Sequence, residues 1–226
     1  MKILGLGSPF LHDPSAALVV DGRIVAAVEE ERLNRKKHAV RCLPTLAARY
    51  CLEQGGIGID DVDAIAFPWS PASYRRDLPA YLQRTWRSRP SRAFKAMRGA
   101  KEEQRWREKN ISRVLEELGA RRAPRVTWVD HHIAHAASCY YVCGWDETAI
   151  LTIDGSGEFT STMLGEGRDG HIRVIDRVSN PDSLGFFYST VTEYLGFKRD
   201  DGELTTVTLD EFTELVRLPS NEPSAE

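Results

Sequence analysis

The sequence predicts an α/β protein of two related lobes, the first complete and the second truncated. Two segments far apart in its 226 residues share one plan of strand, loop, strand, tight turn, strand. A chain of βα units continues the first segment, whereas a single helix continues the second before the pattern stops. Three antiparallel strands continued by parallel βα units describe a lobe of the actin-like, or ribonuclease-H-like, kind.

The first unit predicts strands at 3–6, 16–20 and 24–28, joined by the loop 7–14 and the turn Asp21-Gly22. The second predicts strands at 149–153, 160–164 and 172–178, with the loop 154–158 and a turn through Arg168-Asp169-Gly170. Asp-Gly between apolar runs signals a hairpin because the turn needs positive φ, which Gly adopts cheaply. Two unrelated hairpins would show the same spacing, but the elements downstream of each unit tip the balance toward duplication. After the first come a helix at 43–54, a strand at 64–67, a long helical stretch, and a strand at 125–129 feeding a helix at 131–142. After the second comes a helix at 183–195. The expected division is 1–145 for the first lobe, with a helical insertion at about 74–117, and 146–203 for the start of the second. The polar remainder, 204–226, reads as a divergent, disordered tail.

A content of 42% hydrophobic and 28% charged residues suits an ordinary globular protein, so disorder is not expected overall. The net charge of −3 gives no global attraction to nucleic acid or to an anionic membrane. Four unevenly placed cysteines do not make a disulfide framework, and no apolar run has the length of a signal peptide or a membrane span. A soluble, cytoplasmic protein is expected. In the insertion, Arg84, Arg87, Arg89, Arg92, Arg105 and Arg107 interleave with Trp86 and Trp106, a composition that can contact phosphates and stack on bases. Interspersed glutamates from Glu102 to Glu117 dilute that patch. They favour a solvated insertion with its tryptophans turned to the core, and nucleic acid is not the expected partner.

The strongest chemical signal is Asp130-His131-His132-Ile133-Ala134-His135, which comes after a strand and opens a helix. His131 and His135 stand at i and i+4 on one helical face, so both imidazoles can reach one metal ion, while His132 points elsewhere. Two histidines with one carboxylate suit ferrous iron. Cys139 and Cys143 continue the same face and invite a four-ligand zinc site. Each i+4 step rises about 6 Å, so the outer pair lie roughly 18 Å apart, too far for one ion. Both cysteines are therefore expected in the core. The strand running into Asp154-Gly155-Ser156-Gly157-Glu158 offers a carboxylate to a metal. Its Gly155, Ser156 and Gly157 form a turn whose N–H groups can approach a phosphate. In the counterpart loop of the first lobe, His12 can serve as a general base, or stand as an exposed residue beside a capping Asp13. The run from Glu29 to His38 reads as a solvated charged face.

Together these residues resemble the carbamoyltransferase family that includes nodulation-protein and antibiotic O-carbamoyltransferases. The matching motifs are His12-Asp13-Pro14-Ser15-Ala16-Ala17-Leu18, Glu29-Glu30-Glu31-Arg32 through Lys36-Lys37-His38, His131 to Ser138, Ile153 to Glu158, and Ser183-Leu184-Gly185-Phe186-Phe187-Tyr188. The resemblance implies a two-part enzyme. Its second part activates carbamoyl phosphate with ATP to carbamoyl-adenylate, and its actin-like first part, related to tRNA threonylcarbamoyl-transfer enzymes, moves the carbamoyl group to an acceptor hydroxyl. It implies iron(II), with zinc or manganese as alternatives, on His131, His135 and Asp154, and places His12 and His38 at the transfer site.

The sequence departs from the family pattern after Glu203, where a glycine-rich lysine segment and a further acidic ligand would come next. A truncated chain, inactive alone, is expected. Three functions compete: part of an O-carbamoyltransferase acting on a small hydroxylated molecule, a non-catalytic remnant or subunit that binds metal or a partner chain, and a tRNA-modifying relative. A downstream polypeptide supplying the missing lobe and activating domain, or a second copy in a homo-oligomer, is the expected partner.

Overall fold

A computed structural model describes residues 1–7 and 13–197. Strands β1 (Lys2–Gly7), β2 (Ser15–Val20) and β3 (Arg23–Glu29) form an antiparallel meander. Short helix α1 (Glu30–Asn34) and helix α2 (Thr45–Gln54) lead to β4 (Ala64–Phe67), which pairs with β1 in parallel. Two long helices, α3 (Pro71–Thr85) and α4 (Pro90–Glu117), precede β5 (Arg125–Trp128), which is parallel to β4. The sheet order β3-β2-β1-β4-β5 is the actin-like arrangement that the sequence predicts. Helix α5 (His131–Cys143) crosses to a second meander of β6 (Glu147–Ile153), β7 (Thr160–Arg168) and β8 (His171–Ser179), and α6 (Leu184–Tyr194) comes last. Asp21 and Gly22 have φ of 48° and 80°, and Asp169 and Gly170 have 51° and 72°, so both hairpins turn through two left-handed residues.

Alternation along the strands decides where the core lies. Leu4, Leu6, Ala16 and Leu18 bury one face of the first sheet against Ala47, Ala48, Cys51 and Leu52 of α2 and Ile111, Val114 and Leu115 of α4. The opposite face carries Gly5, Gly7, Ala17 and Ala66 and borders an apolar cleft of about 430 Å³ beneath Ala134 and Ala137 of α5. Although α5 falls within the segment 1–145, its buried Ala136 and Tyr140 pack on Ile150 and Met163 of the second sheet. The lobes are further joined by Phe159, which enters the first lobe's core and stacks on Tyr81 with ring centroids 4.4 Å apart.

The expected helical stretch comes as two helices, with Pro90 in the first turn of α4, where its missing N–H costs no helical bond. Several other expectations are corrected. Strand β7 runs on to Arg168 through Gly165 and Gly167. Those glycines lie where another group approaches closely, the Arg173 carbonyl and the Tyr140 ring respectively. Trp86 and Trp106 are not turned to the core but are 53% and 38% exposed. Cys139 and Cys143 are exposed rather than core residues, because α5 directs Ile133, Ala136 and Tyr140 onto the second sheet. The charged run is not wholly solvated either: Glu30 is buried and accepts the N–H groups of Leu46 and Ala47 at 3.4 and 2.8 Å, capping α2 from outside. The segment 198–203, the tail 204–226 and His12 lie outside the described residues. Among the described residues no helix is long and apolar enough to cross a membrane.

Candidate metal centre

Helix α5 starts where it does because Asp130 caps it, accepting the Ile133 N–H at 3.2 Å. The other oxygen of Asp130 accepts the Ser73 hydroxyl at 2.8 Å and faces Arg76 and Arg177. Burial, the largest single influence, would raise the Asp130 pKa, but these donors and cations together hold it low. The start of α5 is thereby tied to α3 and β8, and its first turn points His131 and His135 toward the end of β6.

There Asp154 meets them. His131 Nε2 lies 2.7 Å from Asp154 Oδ2, His135 Nε2 lies 3.0 Å from His131 Nε2, and His135 Nε2 lies 3.6 Å from the same carboxylate oxygen. The structure thus brings together all three residues expected to hold a metal. Donors about 2.1 Å from one ion and at right angles would stand about 3 Å apart, so the observed spacings fit three adjacent positions on a single ion. His131 Nδ1 faces the Pro68 carbonyl at 3.4 Å, the kind of outer contact that orients a ligating imidazole. Hydrogen bonds to His131 and then His135 hold the Asp154 carboxyl far below the usual carboxylate range. Burial works against charge on His131, yet the hydrogen bond and charge of Asp154 leave its pKa raised overall. His135 is the exposed member, so the centre opens to solvent on its side.

The surrounding loop explains two motifs. Gly155 N–H binds Asp154 Oδ1 at 2.6 Å, leaving Oδ2 for the histidines. A Cβ on Gly157 would stand 3.0 Å from His131 Cβ, so a glycine there lets the loop lie against the histidine face. A Cβ on Gly185 would overlap the Asp154 carbonyl, and Ser183 Oγ, which caps α6 by accepting Phe186 N–H, also reaches the carbonyls of Asp154 and Gly155. The Ser183–Tyr188 motif is therefore the brace behind Asp154. Of the turn expected to bind a cofactor, Gly155 and Gly157 use their N–H groups within the loop, and the Ser156 hydroxyl accepts from Asn180 Nδ2 at 2.6 Å. His132 stands apart: fully buried, it accepts the Thr152 hydroxyl at Nδ1 and donates from Nε2 to the Thr160 carbonyl, a neutral pin that burial keeps below its ordinary pKa.

His38 belongs to a second group. Its Nδ1 lies 2.9 Å from Asp13 Oδ1, its backbone N–H binds Glu31 Oε2 at 2.7 Å, and its φ is 58°. Ligand atoms of Asp13, Glu31 and His38 approach within 4.8 Å of one another. Sequence reasoning misses Glu31 because it sits inside a charged run. The left-handed backbone between residues 35 and 41, which brings His38 back onto Asp13, has no local signal.

The fold and centre define an actin-like α/β protein with a His/His/Asp triad between the start of α5 and the end of β6. The chain belongs to the carbamoyltransferase N-terminus family, whose model matches residues 2–216. It is 39% identical over 206 residues to an uncharacterized protein of Synechocystis sp., covering 89% of this chain and 33% of that one. It is 36% identical over 196 residues to nodulation protein NolNO of Sinorhizobium fredii, covering 86% of this chain and 27% of the relative. The chain thus spans about a third or less of the length of these relatives. Among solved structures it is similar to YeaZ from Pseudomonas aeruginosa, with a TM-score of 0.38 and 17% identity over 79% of this chain and 68% of that chain.

Proposed function

We propose that this chain is the metal-holding part of an O-carbamoyltransferase, moving a carbamoyl group from carbamoyl-adenylate, made from carbamoyl phosphate and ATP, to an acceptor hydroxyl. The observation that carries the reading is the convergence of His131, His135 and Asp154 in a chain of this family. A 2-His-1-carboxylate set suits iron(II), and zinc or manganese is accommodated by the same donors. Such an ion supplies Lewis acidity toward a carbonyl or phosphoryl oxygen. The chain's own residues do the rest: Asp154 and Gly157 keep the loop against the histidines, and the brace from α6 fixes Asp154. His38 donates Nδ1–H to Asp13, which places the lone pair on Nε2, the tautomer of a general base. In the transfer, the acceptor oxygen bonds to the carbamoyl carbon, its proton passes to that base, and the bond from carbon to the phosphate oxygen breaks to release AMP.

The test combines metal analysis with transfer. The purified chain, loaded with ferrous iron, is mixed with radiolabelled carbamoyl phosphate, ATP, hydroxylated acceptors and a polypeptide supplying the ATP-dependent activation. Labelled acceptor that disappears with His131→Ala supports the reading. Stoichiometric metal with no labelled product across the acceptors in the complete mixture overturns it.

A further inference from the structure

The turn that carries His38 is held against its own backbone preference. Arg35, His38, Ala39 and Arg41 have φ of 59°, 58°, 36° and 62°, in the left-handed region that side chains other than glycine disfavour. Residues 29–42 contain no glycine to relieve them. Asp13, which faces this turn, has φ of 52°. Backbone of this kind persists only where its surroundings over-determine it, and it concentrates at functional sites.

Glu31 supplies much of that constraint. Its Oε2 accepts the His38 N–H at 2.7 Å, a charge-assisted bond stronger than one between neutral groups, and its carbonyl accepts the Arg35 N–H at 2.9 Å. One residue thus fixes both the exit of α1 and the amide of the histidine. The platform beneath it is firm. The neighbouring Glu30 donates its N–H to the Pro14 carbonyl at 2.8 Å and is buried, with its carboxylate on the N–H groups of α2. The Glu31 side chain is 18% exposed against 48% for Glu29, so Glu31 turns inward where Glu29 faces solvent. From the held turn, His38 closes a ring with Asp13. The Asp13 N–H donates to the His38 carbonyl at 2.8 Å, and His38 Nδ1 lies 2.9 Å from Asp13 Oδ1. That second contact selects the Nδ1–H tautomer, the minor form of an unconstrained histidine.

We propose that Glu31 is the positioning residue of His38: by holding the histidine amide it keeps the ring where Asp13 fixes the proton on Nδ1 and leaves Nε2 as the acceptor. The use of that acceptor in transfer rests on the carbamoyl reading, whereas the state of the ring does not. The test reads imidazole nitrogen NMR shifts of the chelator-treated 226-residue chain on the alkaline plateau of the His38 titration, with His38→Gln to assign the signals. The parent should show mainly the Nδ1–H form. Glu31→Ala should lower the ratio of Nδ1–H to Nε2–H by about fivefold or more, the scale of one hydrogen bond. Glu31→Gln, which keeps an acceptor oxygen, should restore most of it, and Glu29→Ala, which removes a charge from the same run, should leave it unchanged. Should Glu31→Ala lose the parent's circular dichroism, Glu31→Asp keeps the charge with a shorter reach and should lower the ratio part of the way. In the complete transfer mixture, Glu31→Ala should lower kcat by a similar factor with the KM for the acceptor nearly unchanged. An inactive parent counts against the carbamoyl reading alone, because the ring nitrogens are read without turnover. A ratio that Glu31→Ala leaves unchanged, an equal fall with Glu29→Ala, or a lost tautomer with kcat intact would each overturn the proposal.

Discussion

Asp154 divides its carboxylate, one oxygen for the Gly155 N–H and the other for two imidazoles. Asp154→Asn preserves an acceptor for the turn but removes the anionic donor. Outer contacts to metal ligands are already worth about 10–100-fold in affinity, so losing a direct ligand should cost more than about 100-fold in a cobalt(II) or iron(II) titration. Unchanged affinity would remove Asp154 from the centre. Glu30 gives a pH-dependent prediction. Burial is the main influence on it and raises its pKa above the unfolded value of about 4.3. Its contribution is therefore fully present below that value and is lost as pH rises through the folded pKa. Glu30→Ala strips the acceptor from two N–H groups of α2 and should cost about 1 kcal/mol in urea melts at low pH. The gap to the parent should narrow toward pH 7, and a gap that widens would show the pKa to be depressed instead. The triad is legible in the sequence because helical geometry fixes what i and i+4 can share, and a strand end fixes where an aspartate points. Glu30 and Glu31 are not, since a charged run reads alike whether solvated or turned inward to cap a helix elsewhere.

Elements are legible where local chemistry ends them. Asp-Gly sets both hairpins, Asp130 sets the start of α5, and Pro90 is itself a helix-start signal inside the long helical stretch. The extension of β7 is hidden because glycines that admit Tyr140 and the Arg173 carbonyl look like a turn in one dimension. The helix α6 carries the sharpest test at this scale. An added methyl at Gly185 meets the backbone of Asp154, which cannot swing aside as a side-chain tip would. Gly185→Ala should push the Asp154 loop off the histidines, costing about 1–3 kcal/mol, with a Tm drop of about 2–4 °C for each kcal/mol. Metal affinity should fall with it while helix and strand content persist. Gly22, at φ 80° with nothing near its missing Cβ, is the control. Gly22→Ala should cost about 1–2 kcal/mol through backbone strain alone and leave metal affinity intact. Equal effects of the two substitutions on metal affinity would refute the brace.

Across the whole molecule, apolar surface is unevenly distributed. The first lobe covers one face of its sheet with α2 and α4, whereas in the second lobe Leu151 and Ile153 of β6 are 60% and 50% exposed. On and just beyond α6, Leu184, Phe187, Tyr194 and Leu195 are 59%, 68%, 88% and 65% exposed. Apolar area of this kind drives association, and full burial of one such side chain is worth about 1.5–3 kcal/mol. In a two-fold symmetric contact each substitution acts twice. The 226-residue chain should therefore self-associate as its concentration rises, and Phe187→Asp should weaken that association by roughly 100-fold, read by sedimentation velocity. Substitution at Trp86, which is 53% exposed at the end of α3 and outside α6, should not change it. A chain that stays monomeric throughout, or an association that Phe187→Asp leaves untouched, would place the adhesive surface away from α6.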